Sequence, residues 1–297
     1  MSRRRFLMQS GQLAAAALAS TWLARGAAAN PLGKPIGLQL YTVKEAIRED
    51  AAGTLKKLRE IGFGVVETAG FGKHSAQEFR RMIDDAGLAC PSAHLSFDPA
   101  QLDAAFDDAH ALGAHYAASG SLDGLVKPAK PAGSAARAMG IEEAKRTAEL
   151  CNRIGAAAKR SGLQYVYHNH AFEFARQDGG EVGYDILLRE TDADLVKFEI
   201  DCGWMIFAGR DPISYFGKHP HRFPLIHVKD YLADSDRASG AMLGAELGHG
   251  VVDYKPIFAA AAKAGLQHYF VEQEGPFARM SPLEAARAGY DYLHSLG

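Results

Sequence analysis

The sequence predicts an α/β protein built as a single (β/α)8 barrel, and three observations predict it. Eight short apolar runs alternate with segments of helical period. Glycines recur where a helical segment ends and an apolar run begins. Reactive side chains collect at the C-terminal ends of the apolar runs, the face on which such barrels carry their chemistry. An open doubly wound sheet would usually show a glycine-rich phosphate loop after its first strand. Here the first run passes into Tyr41-Thr42-Val43-Lys44 instead.

In chain order, Ser2-Arg3-Arg4-Arg5-Phe6-Leu7 comes first. An Ala/Leu-rich stretch over 13–23 is next, then Ala27-Ala28-Ala29 before Asn30-Pro31. A basic start, a short apolar middle and a small-residue cleavage site make an export signal. The paired arginines followed by Phe-Leu resemble the twin-arginine (Tat) type. The expectation is a Tat-type signal peptide over residues 1–29, with the Tat machinery as partner and the periplasm as destination. The apolar stretch is too short and alanine-rich to span ~30 Å of hydrocarbon, so no stable membrane insertion is expected after cleavage. The barrel then occupies residues 30–297. Residues 1–29 hold four arginines and no acid, so the remainder carries a net charge of about −6 against −2 for the whole chain. That balance argues against a nucleic-acid partner. Cys90, Cys151 and Cys202 are widely spaced, match no zinc pattern and read as small hydrophobes.

Residues 36–41, 65–68, 88–94, 114–119, 164–170, 196–201, 224–229 and 268–272 read as strands. They are nearly continuous in apolar character because parallel strands are buried on both faces. Helical period appears over 54–61, 77–86, 100–112, 141–160, 213–218, 254–264 and 282–296. Ser75 with Glu78 and Ser281 with Glu284 form capping boxes, and Asp98-Pro99 and Asp211-Pro212 are capped starts. Gly62, Gly87, Gly113, Gly162 and Gly265 each come after a helix, where a C-cap turns through positive φ. Two long connections, 121–140 and 231–251, come after strands four and seven.

The strand ends carry the chemistry. In order they offer Gln39 and Tyr41, Glu67, His94, Ser119, His168 and His170, Glu199 and Asp201, His227 and Lys229, and Glu272 with Glu274 beyond. His168 and His170 are two apart on a strand and therefore point the same way. Carboxylates that end apolar strands need partners, and a shared divalent metal is one. A set of Asp, His and Glu with a further imidazole suits Mn²⁺, Co²⁺, Zn²⁺ or Fe²⁺. Each residue also has a plainer reading. Asp201 can cap the next element, His227 can be a satisfied core histidine, and Glu272 can pair with Lys229. Glu67 and His94 can orient a ligand rather than touch substrate, and Glu199 reads as a structural partner of Lys229 or Lys197.

Six segments together carry a family resemblance: Ile36-Gly37-Leu38-Gln39-Leu40-Tyr41, Tyr167-His168-Asn169-His170 with Phe172-Glu173, Phe198-Glu199-Ile200-Asp201, Ile226-His227-Val228-Lys229-Asp230, Gly248-His249-Gly250 with Val252-Asp253, and Val271-Glu272-Gln273-Glu274. The chain resembles the xylose-isomerase-like TIM barrels, which include sugar isomerases and epimerases, inosose dehydratase and endonuclease IV. The resemblance covers essentially all of residues 30–297. It implies one divalent metal at the barrel mouth, Mn²⁺ first, with Co²⁺, Zn²⁺, Fe²⁺ or Mg²⁺ as alternatives. The implied ligands are His168, Asp201, His227 and Glu272. The implied catalytic groups are Glu272, His168 and His170, and the substrate contacts are Gln39, Tyr41, Glu67, His94, Glu173 and Lys229. The sequence departs from the epimerases at two places. They carry a strand-five glutamate where His168 stands and a histidine where Trp204 stands.

The resemblance therefore implies a metal-dependent isomerase or epimerase that moves a proton next to the carbonyl of a sugar or cyclitol through an enediolate. One alternative is a dehydratase or lyase on a keto-sugar or keto-cyclitol, closer to inosose dehydratase, whose strand five carries histidines. Another is a periplasmic sugar-binding protein without turnover. A phosphodiesterase like endonuclease IV fits poorly with the acidic balance.

Overall fold

The computed structural model describes residues 30, 32–120, 122, 125–126, 138–175, 180–277 and 279–297. The signal peptide expected over 1–29 and most of the connection 121–140 lie outside the described residues.

Eight parallel strands close into a barrel: β1 (Gly37–Gln39), β2 (Val65–Ala69), β3 (Ala89–His94), β4 (Tyr116–Ser119), β5 (Gln164–His168), β6 (Val196–Asp201), β7 (Leu225–Val228) and β8 (His268–Val271). Each pairs with its neighbours in sequence, and β1 closes the ring against β8. The expected single (β/α)8 barrel is therefore the observed architecture. All eight expected runs contain a strand, shortened by a residue or more in most cases where the chain leaves the ladder. An expected strand over 164–170 ends at His168 because Asn169 and His170 already turn away.

The helices are α1 (Lys44–Glu49), α2 (Ala51–Ile61), α3 (Ala76–Asp85), α4 (Leu102–Leu112), α5 (Ile141–Arg160), α6 (Gly183–Glu190), α7 (Cys202–Phe207), α8 (Pro212–Lys218), α9 (Tyr254–Lys263) and α10 (Pro282–Ser295). Both expected capping boxes form, and Asp211 accepts from Ile213 N and Ser214 N at the start of α8. The five expected stop glycines all take positive φ, from 72° to 129°. Asp98 is a correction. Its carboxylate accepts from Ala100 N in a turn, and α4 begins later, at Leu102. Helices α1, α6 and α7 were not expected. α6 starts after an uncapped Val182, and α7 is one short apolar segment with no polar face to give a period.

Two hydrophobic bodies result. A large core lies between the strands and the helices, and a smaller one comprises Val65, Tyr116, Ala118, Val166, Leu225 and Phe270. The second body fills the barrel, because these residues share the parity of the inward faces. Period two then dictates what lies above it. Two residues further along the same inward faces, Val65 gives way to Glu67, Val166 to His168, Leu225 to His227 and Phe270 to Glu272. An apolar plug thus carries a polar layer at the C-terminal end of the barrel. Gly37 lets the plug close. A Cβ there would lie 2.5 Å from the Phe270 ring and 2.7 Å from Tyr269 O.

All three cysteines are free and buried. Among the described residues no helix is long and apolar enough to cross a membrane.

Candidate metal centre

The strand ends bring His168, Asp201, His227 and Glu272 together. Each offers one donor atom, and these atoms lie within 4.8 Å of one another with all four side chains buried. The ladder sets this up directly, since Asp201 is the register partner of His227. His227 Nδ1 is 3.0 Å from Glu272 Oε2 and 3.9 Å from Asp201 Oδ2. The His168 and His227 rings lie 4.4 Å apart, centroid to centroid.

The inward-facing atoms are the informative ones. His168 Nδ1, Asp201 Oδ2, His227 Nδ1 and Glu272 Oε2 are all buried without a well-aligned hydrogen bond. Three of them meet charged neighbours only as ion pairs, with Lys229 Nζ 2.8 Å from Asp201 Oδ2 and 2.9 Å from Glu272 Oε2, and His227 Nδ1 3.0 Å from Glu272 Oε2. Buried polar atoms normally find partners, and a group of imidazoles and carboxylates gathered this closely suits a shared cation. Two imidazole nitrogens and two carboxylate oxygens form a donor set that fits a divalent transition ion.

The other atoms of the same residues are tied down. Asp201 Oδ1 accepts from Trp204 N at 2.8 Å and caps α7, so the capping reading and the ligand reading use different oxygens. His227 Nε2 donates to Glu67 Oε2 at 2.7 Å and lies 3.2 Å from Glu199 Oε1. This network keeps a proton on Nε2, so a cation would bind at Nδ1 and displace the second proton that the surrounding carboxylates favour there. Glu67 is fully engaged, accepting from Gln39 Nε2 at 2.8 Å and from Ser92 Oγ. Glu199 Oε2 meets His94 Nε2 at 2.9 Å. A second grouping of Glu67, His94, Glu199 and His227 thus lies behind the first, knit by its own hydrogen bonds.

Charge derives from this packing. Burial opposes a proton on His227, but Glu199 and Glu272 outweigh it and raise its pKa well above the imidazole range. Burial would lift Glu199 too, yet His227 and His94 pull it down to about 2. Burial raises Asp201 to about 6 against the pull of Lys229. Glu272, also buried, is held well below the carboxylate range by Lys229 and His227. Burial and then His227 depress His168, and burial and then Lys229 bring His170 to about 4. Both strand-five histidines are therefore neutral bases near pH 7.

The remaining expected site residues fall into two groups. Gln39 and Glu67 were expected to contact substrate. Both are buried, with Gln39 Nε2 donating to Glu67 Oε2, which also accepts from His227 Nε2. Glu173 is also fully buried and accepts from Tyr167 Oη at 2.9 Å and from His170 N at 3.0 Å, so it fixes the end of β5. His94 and His170 are partly buried, Lys229 is buried and Tyr41 is exposed. The His170 ring sits 5.0 Å from His168 and 6.3 Å from Trp204, outside the four-donor set, with Nδ1 buried and unpartnered. Lys229 Nζ lies 2.8 Å from Asp201 Oδ2 and 2.9 Å from Glu272 Oε2, without the alignment of a hydrogen bond, and donates to Glu274 Oε1 at 2.5 Å. Tyr41 is exposed at the rim, its ring under the Lys44 ammonium. Glu199 pairs with His94 and His227, where Lys229 or Lys197 was expected.

Sequence reasoning missed three supports. Asn169 faces away from its flanking histidines, and its Oδ1 accepts from Asp201 N at 3.1 Å, pinning the end of β6. Tyr254 Oη bridges Lys229 N and Lys229 O, each at 2.7 Å. Asp230 accepts from Tyr231, Gly248, Gly250 and Val252 N and anchors the connection after β7. The alternation of His168, Asn169 and His170 was a usable signal for the first. The other two depend on contacts across the chain. A cavity of about 710 Å³ lies elsewhere, lined by residues of α6 and α8 such as Asp185, Arg189, Tyr215 and Lys218, and among the described residues it brings no comparable donor set together.

Fold and donor set define the class: the chain belongs to the xylose isomerase-like TIM barrel family, whose model matches residues 55–296. Among particular proteins, it is 30% identical over 227 residues to inosose dehydratase of Lacticaseibacillus casei, covering 68% of this chain and 73% of that one. A sugar phosphate isomerase/epimerase from Parabacteroides distasonis superposes with a TM-score of 0.70 at 26% identity, covering 88% of this chain and 94% of that one. A xylose isomerase-like TIM barrel protein from Mycobacterium smegmatis in complex with magnesium gives a TM-score of 0.64 at 20% identity over 88% and 96% of the two chains, a likeness of fold.

Proposed function

We propose that the protein is a divalent-metal-dependent enzyme that removes a proton next to the carbonyl of a keto-sugar or keto-cyclitol. The convergence of four buried metal-ligating side chains from β5 to β8 carries this reading. The ion, with Mn²⁺ the first candidate, would be held by His168, Asp201, His227 and Glu272 and would supply Lewis-acid stabilisation of the developing oxyanion.

The chain's own groups do the rest. Glu67, Gln39 and Glu199 fix the His227 tautomer. His170, neutral and beside the donors, takes the α-proton, with Glu272 as the other candidate base. The Lys229 ammonium lies 5.2 Å from the Trp204 ring beside the donors. The step after proton removal decides the reaction. Loss of a β-hydroxyl gives a dehydratase, and return of the proton to the other face gives an epimerase or isomerase. Dehydration is favoured by the inosose dehydratase relative and by His168 standing where a two-glutamate epimerase needs its second carboxylate. Epimerisation is the second reading, supported by the isomerase/epimerase neighbour.

The test is a panel of inososes and keto-sugars incubated in D₂O with Mn²⁺. Elimination yields an unsaturated product, and epimerisation yields an α-deuterated epimer. Sugar binding without either outcome supports a binding protein. We also propose that residues 1–29 export the protein to the periplasm. Fractionation of cells expressing the chain, with R3K/R4K as control, tests it: the variant should stay in the cytoplasm.

A further inference from the structure

We propose that the Lys229 ammonium is a tethered rival of the metal ion, seated on two of its ligand oxygens and displaced toward Glu274 and Trp204 when the ion binds. The inference rests on the metal reading above. Lys229 stands two residues after His227, so its side chain rises on the same inward face. Its nitrogen lies 2.8 Å from Asp201 Oδ2 and 2.9 Å from Glu272 Oε2. These are the same oxygens that face the donor set without hydrogen bonds. A dication on both oxygens would bring two positive centres into contact in a buried site, which is strongly unfavourable.

The ammonium has another seat at hand. Glu274 Oε1 accepts from it at 2.5 Å and belongs to a side chain that is 34% exposed, toward the mouth. The Trp204 ring lies 5.2 Å from the nitrogen, and Trp204 Nε1 donates to the same Glu274 oxygen at 3.2 Å. An anion and an aromatic face thus form an outer cradle for a cation. The backbone of Lys229 is clamped by Tyr254, so the exchange is confined to the flexible stem. Lys229 then sets the metal affinity of the site: it keeps the carboxylates neutralised without the ion and releases them to it.

The experiment is calorimetric titration of chelator-treated protein with MnCl₂, using wild type, K229M, E274Q and the double variant. K229M should bind Mn²⁺ tighter by about tenfold or more. E274Q should bind it several-fold more weakly, because the ammonium loses its outer seat. In the double variant the E274Q effect should vanish, leaving the K229M affinity. Affinities of K229M and E274Q equal to wild type would overturn the inference while leaving the metal reading in place. An E274Q effect that persists in the K229M background would overturn it as well. Should K229M fail to fold, E274Q decides alone, since this partly exposed position leaves the buried framework intact. Wild-type protein that takes up no Mn²⁺ would remove the metal reading and this inference together.

Discussion

At the scale of the residue, the site works by dividing labour within side chains. Asp201 spends one oxygen on the cap of α7 and turns the other inward, and His227 spends Nε2 on Glu67 and turns Nδ1 inward. Glu272→Gln should abolish turnover and cut metal affinity while leaving the circular dichroism spectrum unchanged, since the residue lies at the mouth rather than in the plug. Glu67→Gln should lower metal affinity by about 10–100-fold through loss of the group that orients His227. Calorimetry on purified variants checks both. The ligand candidates were legible in the sequence because strand ends are where a barrel exposes its inward side chains. Whether Glu67 and Gln39 touch substrate or hold a ligand was not legible. That depends on depth along the barrel axis, which is fixed by the relative stagger of strands such as the register shift between Val65 and Glu67 on β2.

At the scale of the element, each barrel strand is a two-sided object whose inward column changes from apolar to polar near its C-terminal end. The connection after β7 shows what supports that end. Asp230 gathers four backbone N–H groups, and Gly250 is needed for the fit, because a Cβ there would lie 2.1 Å from Asp230 Oδ1 and 2.4 Å from Tyr231 O. Asp230→Ala leaves those donors without their acceptor and should destabilise the fold by about 2–3 kcal/mol. It should also speed proteolysis within residues 232–251, read by limited digestion. The sequence marked this segment only as a long loop with Gly248-His249-Gly250. The anchor is an acid just past the strand and has no pattern of its own. Helix α6 was missed for a similar reason, since its start lacks a side-chain cap and tertiary packing alone defines it.

At the scale of the whole molecule, the eightfold order of strands was readable because it repeats: each unit carries an apolar run, and most carry a capped helix and a stop glycine. Repetition also made the polar end visible as a set when its members singly were ambiguous. The molecule should be acid-labile in a defined window. Burial, with help from Lys34 and His115, brings His268 down to about 4. Above the unfolded value near 6.5 both states are neutral there, and below it the unfolded chain takes the proton first. Stability is therefore present above pH ~6.5 and lost as pH falls toward 4, by about 1 kcal/mol at pH 5 after solvent screening is allowed for. Urea denaturation at pH 7 and pH 5 should show the drop, and H268Q should blunt it. The central claim is that one ion sits where β5, β6, β7 and β8 converge. A crystal grown with Mn²⁺ and measured at the manganese absorption edge tests it most directly. The account predicts one anomalous peak bonded to a ring nitrogen of His168, to Asp201 Oδ2, to His227 Nδ1 and to Glu272 Oε2. A peak among Glu67, His94 and Glu199 instead, or no peak at the barrel mouth, would contradict it.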